Sequence, residues 1–185
     1  MPIPIDQCRK ELFHLLKTQA FAKGKFILSS GKESNFYLDA RIVTLSAPGA
    51  YLTARIMLDM IKEDHLDAIG GPTLGADPMV GAIASLSHQE GSPINTFIIR
   101  KQPKAHGKQQ QVEGPLLKEG CQVVIIDDVA TTGKAFVESI EVLQKMNIKI
   151  IKAICVIDRG EGALEALSKY KVPLQSIFTI AEFLQ

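Results

Sequence analysis

The chain has no surplus of charge of either sign, no long apolar run, few cysteines and neither of two common phosphate-loop signatures. Each shortage removes a class of function. Lys and Arg number 21 against 20 Asp and Glu, a formal net charge of +1. That is not the basic balance of a nucleic-acid binder, so an anionic ligand must be held by a local cluster. The N-terminal MPIPIDQCRKEL carries early proline and charge without an apolar core. Neither a signal peptide nor a membrane span is expected, and the expected location is the cytoplasm. The 3 cysteines, Cys8, Cys121 and Cys155, lie far apart with no CxxC spacing and no nearby histidines to complete a metal site. They read as reduced thiols, Cys155 as a core residue. No Gly-x-Gly-x-x-Gly occurs, which argues against a dinucleotide site, and a Walker loop fails because Lys134 is followed by Ala135 rather than Ser or Thr.

At 185 residues, 46% hydrophobic and 22% charged, the chain is sized for one well-packed globular domain with a small appendage. No repeat or low-complexity linker divides it. Cys8, Leu12, Leu15, Leu16 and Ala20 give a helical stripe over Asp6 to Ala20, whereas Lys25 to Val43 has no helical period and reads as short strands and turns, a hood over the sheet edge. Ser46-Ala-Pro48 starts a helix toward Asp64. Strands are then expected over Ala68 to Gly71, Ile94 to Ile99, Gln122 to Asp127, Ile150 to Ile157 and Leu174 to Ile180. Helices are expected from Asp77 to His88, Gly133 to Met146 and Ala163 to Tyr170. The alternation predicts an α/β fold: a central, mainly parallel sheet with helices on both faces and a small N-terminal hood. The stretch between Ile99 and Gln122 is long and polar, which is unusual in a compact domain unless it forms a lid or is disordered.

The most informative segment is Val123 to Gly133, VVIIDDVATTG. Four β-branched residues suit a strand buried on both faces, and the carboxylates and small hydroxyl-bearing residues after them fall at its carboxyl end. There the N-terminus of the next helix offers unpaired N–H groups and partial positive charge to a phosphate. Thr131 and Thr132 add hydroxyl donors, Gly133 lets the backbone come close, and Asp127 and Asp128 can accept from sugar hydroxyls. The plainer reading is an aspartate that caps the following helix. Arg100, Lys101, Lys104, His106 and Lys108 form a cationic run, either a solvated loop or a set of cations for a departing anionic group. Arg159 follows a strand at the same edge. It either pairs with Glu161 or Asp158 or reads a planar carboxylate with its fork.

Asp127 to Ala135 resembles the phosphoribosyl-diphosphate signature of the type I phosphoribosyltransferases. FILSSGKESNFYLDAR (Phe26 to Arg41), RKQPKAHG (Arg100 to Gly107) and IDRGEGA (Ile157 to Ala163) occur in the order and spacing of the orotate phosphoribosyltransferases. The resemblance implies one phosphoribosyltransferase domain over 1–185, with the hood in about 21–45 and a mobile loop in about 100–115. It implies transfer of ribose 5-phosphate from phosphoribosyl diphosphate to orotate, giving orotidine 5′-phosphate and diphosphate in de novo pyrimidine (UMP) biosynthesis.

Carried onto this chain, the resemblance gives Asp128 the sugar hydroxyls with help from Asp127, neither needing a raised pKa. The remaining signature residues, Val129, Ala130, Thr131, Thr132, Gly133, Lys134 and Ala135, fall to substrate binding, Thr131 touching orotate. Arg100, Lys101, Lys104 and His106 match the diphosphate contacts, with Lys104 meeting the leaving group and His106 supplying a proton. The fork of Arg159 suits the orotate carboxylate, and Phe36 and Tyr37 either cover the base from the hood or are plain packing. The family's loop reaches into the neighbouring subunit, which implies a homodimer with shared sites. Magnesium enters chelated by phosphoribosyl diphosphate and is not held by a protein ligand set. The turn Gly70 to Asp77 should bind diphosphate through backbone N–H groups, with Asp77 capping the next helix. Many bacterial members carry Tyr-Lys where Leu74 and Gly75 stand, and lysine where Ser29 stands. Those contacts do not transfer, although Lys32 is a conjectural substitute for the second. A purine-base transferase and a non-catalytic sensor of phosphoribosyl diphosphate remain as alternatives.

Overall fold

Val123, Val124, Ile125 and Ile126 are all fully buried, as a β-branched run must be if both its faces are covered. The computed structural model describes residues 3–27, 33–102 and 111–185. The chain begins with α1 (Ile5–Leu15) and a π-helical turn (Leu16–Ala20), followed by β1 (Phe21–Ile27) and β2 (Glu33–Leu38). After α2 (Arg41–Thr44) and α3 (Ala47–Met60) come β3 (Ala68–Pro72), α4 (Asp77–Gln89), β4 (Asn95–Ile99) and β5 (Val112–Glu113). The second half runs β6 (Gln122–Ala130), α5 (Lys134–Lys145), β7 (Lys149–Asp158), α6 (Ala163–Ser168), β8 (Leu174–Thr179) and α7 (Ile180–Leu184).

The main sheet has the order β5-β4-β3-β6-β7-β8. All its pairings are parallel except that of β5 with β4. Side chains along β6 alternate between two apolar layers, as a period of two requires. Val124 and Ile126 join Leu12, Leu52, Met57, Met79 and Ile83 from α1, α3 and α4 on one face. Val123 and Ile125 join Phe136, Ile140, Leu143 and Leu167 from α5 and α6 on the other. No described helix is long and apolar enough to cross a membrane.

The local signals read from sequence have visible causes. Ser46 caps α3, its hydroxyl accepting from Gly49 N at 3.1 Å. A Cβ at Gly49 would stand 2.0 Å from Val43 O, so glycine is what lets α3 press on α2. The hood is an antiparallel pair, β1 with β2, registered Phe21↔Leu38 and Lys23↔Phe36. Several expectations need correction. The strand expected to stop at Asp127 continues to Ala130, because β7 goes on pairing with it through Ala130↔Asp158. The last turn of the first helix is π rather than α. The C-terminal segment is not strand alone: Thr179 and Glu182 form a capping box that opens α7.

Candidate functional site

Strand β3 pairs with β6 only as far as Gly70↔Ile125, whereas β7 follows β6 to Ala130. Residues Asp127–Ala130 therefore stand on a ledge with a sheet partner on one side. The turn after β3, which contains a cis Thr73–Leu74 peptide, fills the other side. A Cβ built at Gly75 would lie 2.0 Å from Asp127 Oδ1 and 2.6 Å from Asp128 Oδ1, so only glycine lets the turn approach the carboxylates this closely. Asp128 N donates to Asp127 Oδ1 at 2.9 Å, and Val129 N to Asp128 Oδ1 at 2.8 Å. Burial is the main cause that pushes Asp127 well above the ordinary carboxylate range, with the neighbouring Asp128 charge adding to it. Burial also raises Asp128. Both shifts arise because each anion gives up water without a full set of donors in return.

Being consecutive on a strand, the acids face different hollows. Asp127 lines one of about 210 Å³ together with Val129, Ala130, Thr131, Thr132, Gly133, Lys134, Ala135 and Phe136. These are the residues from which a phosphate cradle was expected. Gly133, at φ 79°, is the N-cap of α5, and no side chain caps that terminus, an arrangement able to present backbone N–H groups to an anion. A Cβ at Gly133 would also come within 3.0 Å of Ala163 Cα and Leu167 Cδ1. Lys134 reaches Glu138 at 3.7 Å from an exposed position.

Asp128 lines a second hollow, about 240 Å³, with Leu38, Asp39, Ala40, Arg41, Gly75, Val129, Thr131 and Arg159. Val129 and Thr131 belong to both, so the two spaces share a wall. Arg159 N donates to Ala130 O at 2.9 Å, which fixes the backbone at this edge. Its Nε donates to Glu161 Oε1 at 2.8 Å, and its guanidinium lies 4.8 Å from the centre of the Phe36 ring. Arg159 thus takes Glu161 of the two partners foreseen, from a largely buried side chain, and lines the hollow beside Asp128. The two hood aromatics separate, as alternation demands: Phe36 is half-buried against Arg159, while Tyr37 turns outward beside Phe26. Of the two, Phe36 is the one that lies over Arg159.

At the loop base, Arg100 N donates to Gln111 O at 2.8 Å and Gln111 Nε2 donates to Arg100 O at 3.0 Å. The Arg100 guanidinium lies 3.6 Å from Glu113, and Lys101 is exposed beside it. Lys104, His106 and Lys108, like Ser29 and Lys32, lie outside the described residues. Asp77 does not cap α4 as expected. Ala76 is the N-cap, and among the described residues Asp77 Oδ1 is buried without a hydrogen bond, with burial raising its pKa. Cys8 and Cys155 are buried free thiols. Arg41 was missed. Its signal was the short Asp39-Ala40-Arg41 turn, whose side chains meet in a bidentate pair at 3.0 and 3.1 Å, 3.9 Å from Asp128.

Residues 48–184 match the phosphoribosyl transferase domain family. The chain is 40% identical over 182 residues to the orotate phosphoribosyltransferase of Synechocystis sp., covering 98% of this chain and 91% of that protein. It is 38% identical over 179 residues to the enzyme of that name from Aquifex aeolicus, covering 95% and 97%. Among solved structures, the Mycobacterium tuberculosis orotate phosphoribosyltransferase complexed with 5-phospho-alpha-D-ribosyl 1-diphosphate superposes with a TM-score of 0.80 at 29% identity, over 96% of this chain and 99% of that one. The same enzyme complexed with Fe(III) dicitrate gives 0.83 at 33% identity, over 95% and 98%. With the fold, the cradle and near-complete coverage in agreement, the chain belongs to the phosphoribosyltransferase family, in its orotate phosphoribosyltransferase branch.

Proposed function

We propose that the chain, acting in the cytoplasm on the route to UMP, moves ribose 5-phosphate from phosphoribosyl diphosphate to a ring nitrogen of orotate, releasing diphosphate. The observation that carries this reading is the shared wall. An amide-lined hollow that holds Asp127 and an arginine-bearing hollow that holds Asp39 and Asp128 meet at Val129 and Thr131. A sugar whose 5′-phosphate sits at the start of α5 then spans Asp127 and Asp128 and presents C1 toward Arg159. The N–H groups of α5 and the Thr131 and Thr132 hydroxyls bind the phosphate. Asp128, steadied by Asp127, accepts from the ribose hydroxyls and is placed to stabilise positive charge developing on the sugar. Arg159, stacked on Phe36, keeps guanidinium donors for the orotate carboxylate, the group that distinguishes this base from uracil.

Arg100, Lys101, Lys104 and His106 are assigned to the diphosphate, with Lys104 countering charge on the leaving oxygens and His106 supplying a proton. Closure of their loop would exclude water from a cationic sugar. No cluster of three metal-ligating side chains occurs among the described residues, and two carboxylates beside the sugar position suit a magnesium ion that arrives chelated by diphosphate and ribose hydroxyls. Bound there, the ion would neutralise charge on the leaving group. Loop residues working across a homodimer interface complete the proposal.

The direct test is orotate-dependent release of diphosphate with formation of orotidine 5′-phosphate, with adenine and guanine as controls. Turnover of a purine base without turnover of orotate rejects the assignment. Arg159→Ala is expected to cut kcat/KM for orotate by roughly 100-fold, about the worth of a lost bidentate carboxylate contact, while phosphoribosyl diphosphate affinity changes little. Equal losses for both substrates would remove Arg159 from the base site.

A further inference from the structure

We infer that Arg41 is a positioning residue for the sugar site: Asp39 locks its guanidinium beside Asp128, and Arg41 holds the Asp128 carboxylate toward the ribose hydroxyls. This rests on the reading of Asp128 as their acceptor.

Three donors of Arg41 converge on the Asp39 carboxylate. Its backbone N reaches Oδ1 at 3.1 Å, Nε reaches Oδ1 at 3.0 Å and Nη2 reaches Oδ2 at 3.1 Å. The side-chain bond from Arg41 is the largest cause holding the Asp39 pKa below the ordinary carboxylate range, so the anchor stays ionised. Asp39 is itself tied down, its N–H donating to Ala20 O at 3.0 Å, and Ala40 beside it is fully buried. A guanidinium pinned this way has few orientations left. The one it adopts sets Nε 3.9 Å from Asp128 Oδ2, too long for a hydrogen bond but within ion-pair reach.

Asp128 is approached from every side. Its Oδ1 accepts from Val129 N, and Gly75 closes the space above it. Asp127 adjoins it on the strand, and Asp39, Arg41 and Arg159 line the same hollow. Among the described residues Arg41 is the cation within 4.0 Å of it. Without that cation Asp39 and Asp128 would face each other uncompensated, and like-charge repulsion would turn the Asp128 carboxylate away. A pair with Asp39 alone, on a half-exposed side chain, would contribute little. The position between a hood acid and a sugar acid gives this one its use. Through it the hood that places Phe36 over Arg159 also reaches the sugar side of the site.

Binding of magnesium phosphoribosyl diphosphate, measured by calorimetry without orotate, tests the assignment. Arg41→Ala should weaken binding about tenfold, Arg41→Lys should recover part of the loss because charge remains without the fork, and Asp39→Asn should fall between the parent and Arg41→Ala. Guanidinium ion at sub-denaturing concentration should restore binding to Arg41→Ala, and inorganic phosphate, which needs only the cradle, should bind parent and variant alike. Unchanged affinity in Arg41→Ala overturns the assignment. So does a loss that guanidinium does not rescue, or one that phosphate binding shares, since either marks a general structural defect. A parent protein that binds phosphoribosyl diphosphate but ignores orotate would refute the base assignment, while the binding results still decide the role of Arg41.

Discussion

Asp127 shows how a residue proposed to serve the ligand works against the free protein. Its pKa and that of Asp128 are raised in the folded state, chiefly by burial, so between the ordinary carboxylate value and the raised one the folded chain holds more protons than the unfolded chain. Stability from this source is full below the ordinary value and declines as pH rises through the raised ones. Asp127→Asn should therefore abolish turnover yet raise the melting temperature at neutral pH by roughly 2–4 °C, the shift of about 1 kcal/mol in a chain of this size. Its melting temperature should also depend less on pH between mildly acidic and neutral conditions. Parallel curves for parent and variant would show that Asp127 carries no such burden.

Gly75 makes the same point sterically. A Cβ there would stand 2.0 Å from Asp127 Oδ1 and 3.1 Å from Asp128 Cγ, so even Gly75→Ala must shift a carboxylate. Gly75→Lys, which installs the lysine that the family resemblance implies at this position, should not raise affinity for phosphoribosyl diphosphate. Both variants are expected to lose about tenfold or more in kcat/KM for it. A gain in the lysine variant would show that the turn can back away from the acids.

Among the elements, the hood is decided by which side of β2 each aromatic occupies. Phe36 supports Arg159 and also lies 5.8 Å, ring to ring, from Phe21 of β1, whereas Tyr37 turns away. A guanidinium over an aromatic face contributes about 0.5–2 kcal/mol. Phe36→Ala should accordingly raise KM for orotate by roughly 3- to 30-fold, and Tyr37→Ala should leave it nearly unchanged. Initial-rate measurements at saturating phosphoribosyl diphosphate separate the two. A larger effect from Tyr37→Ala would put the other face of the strand toward the base.

At the scale of the whole molecule, the two ends of the chain meet beneath the hood. Arg9 of α1 pairs with Glu182 of α7 at 3.1 Å and lies 4.5 Å over the Phe178 ring. Phe183 of α7 is fully buried and stands 4.7 Å from Phe13 and 5.7 Å from Phe21, ring to ring. The C-terminal helix thus braces both the first helix and the first hood strand. The proposed assembly operates at this scale too. If loop cations act across an interface, subunits carrying Lys104→Ala mixed with subunits carrying Asp128→Asn should regain activity toward about one quarter of the parental value, because a statistical mixture gives half heterodimers, each with one intact site. Verified mixed dimers that stay inactive would place the loop over its own chain's site.

The sequence by itself determined what a contiguous stretch can build. Asp127 through Ala135 runs from strand to helix without a break, so the gathering of these acids and hydroxyls in one hollow at the start of α5 was legible from residue order alone, as were the parallel α/β architecture and the cap at Ser46. What lay beyond it depended on chain segments distant in sequence. The end of β6 was misplaced because a strand stops where its partner stops, and β7 continues where β3 leaves off. Asp77 was misjudged because its surroundings, not its place before Pro78, decide whether its carboxylate finds a donor. The close approach of Gly75 and the reach of Arg41 to Asp128 join the turn after β3 and the hood to β6. Periodicity and local motifs record nothing of such meetings, because the distances between distant segments are set only when the two apolar layers pack against the sheet.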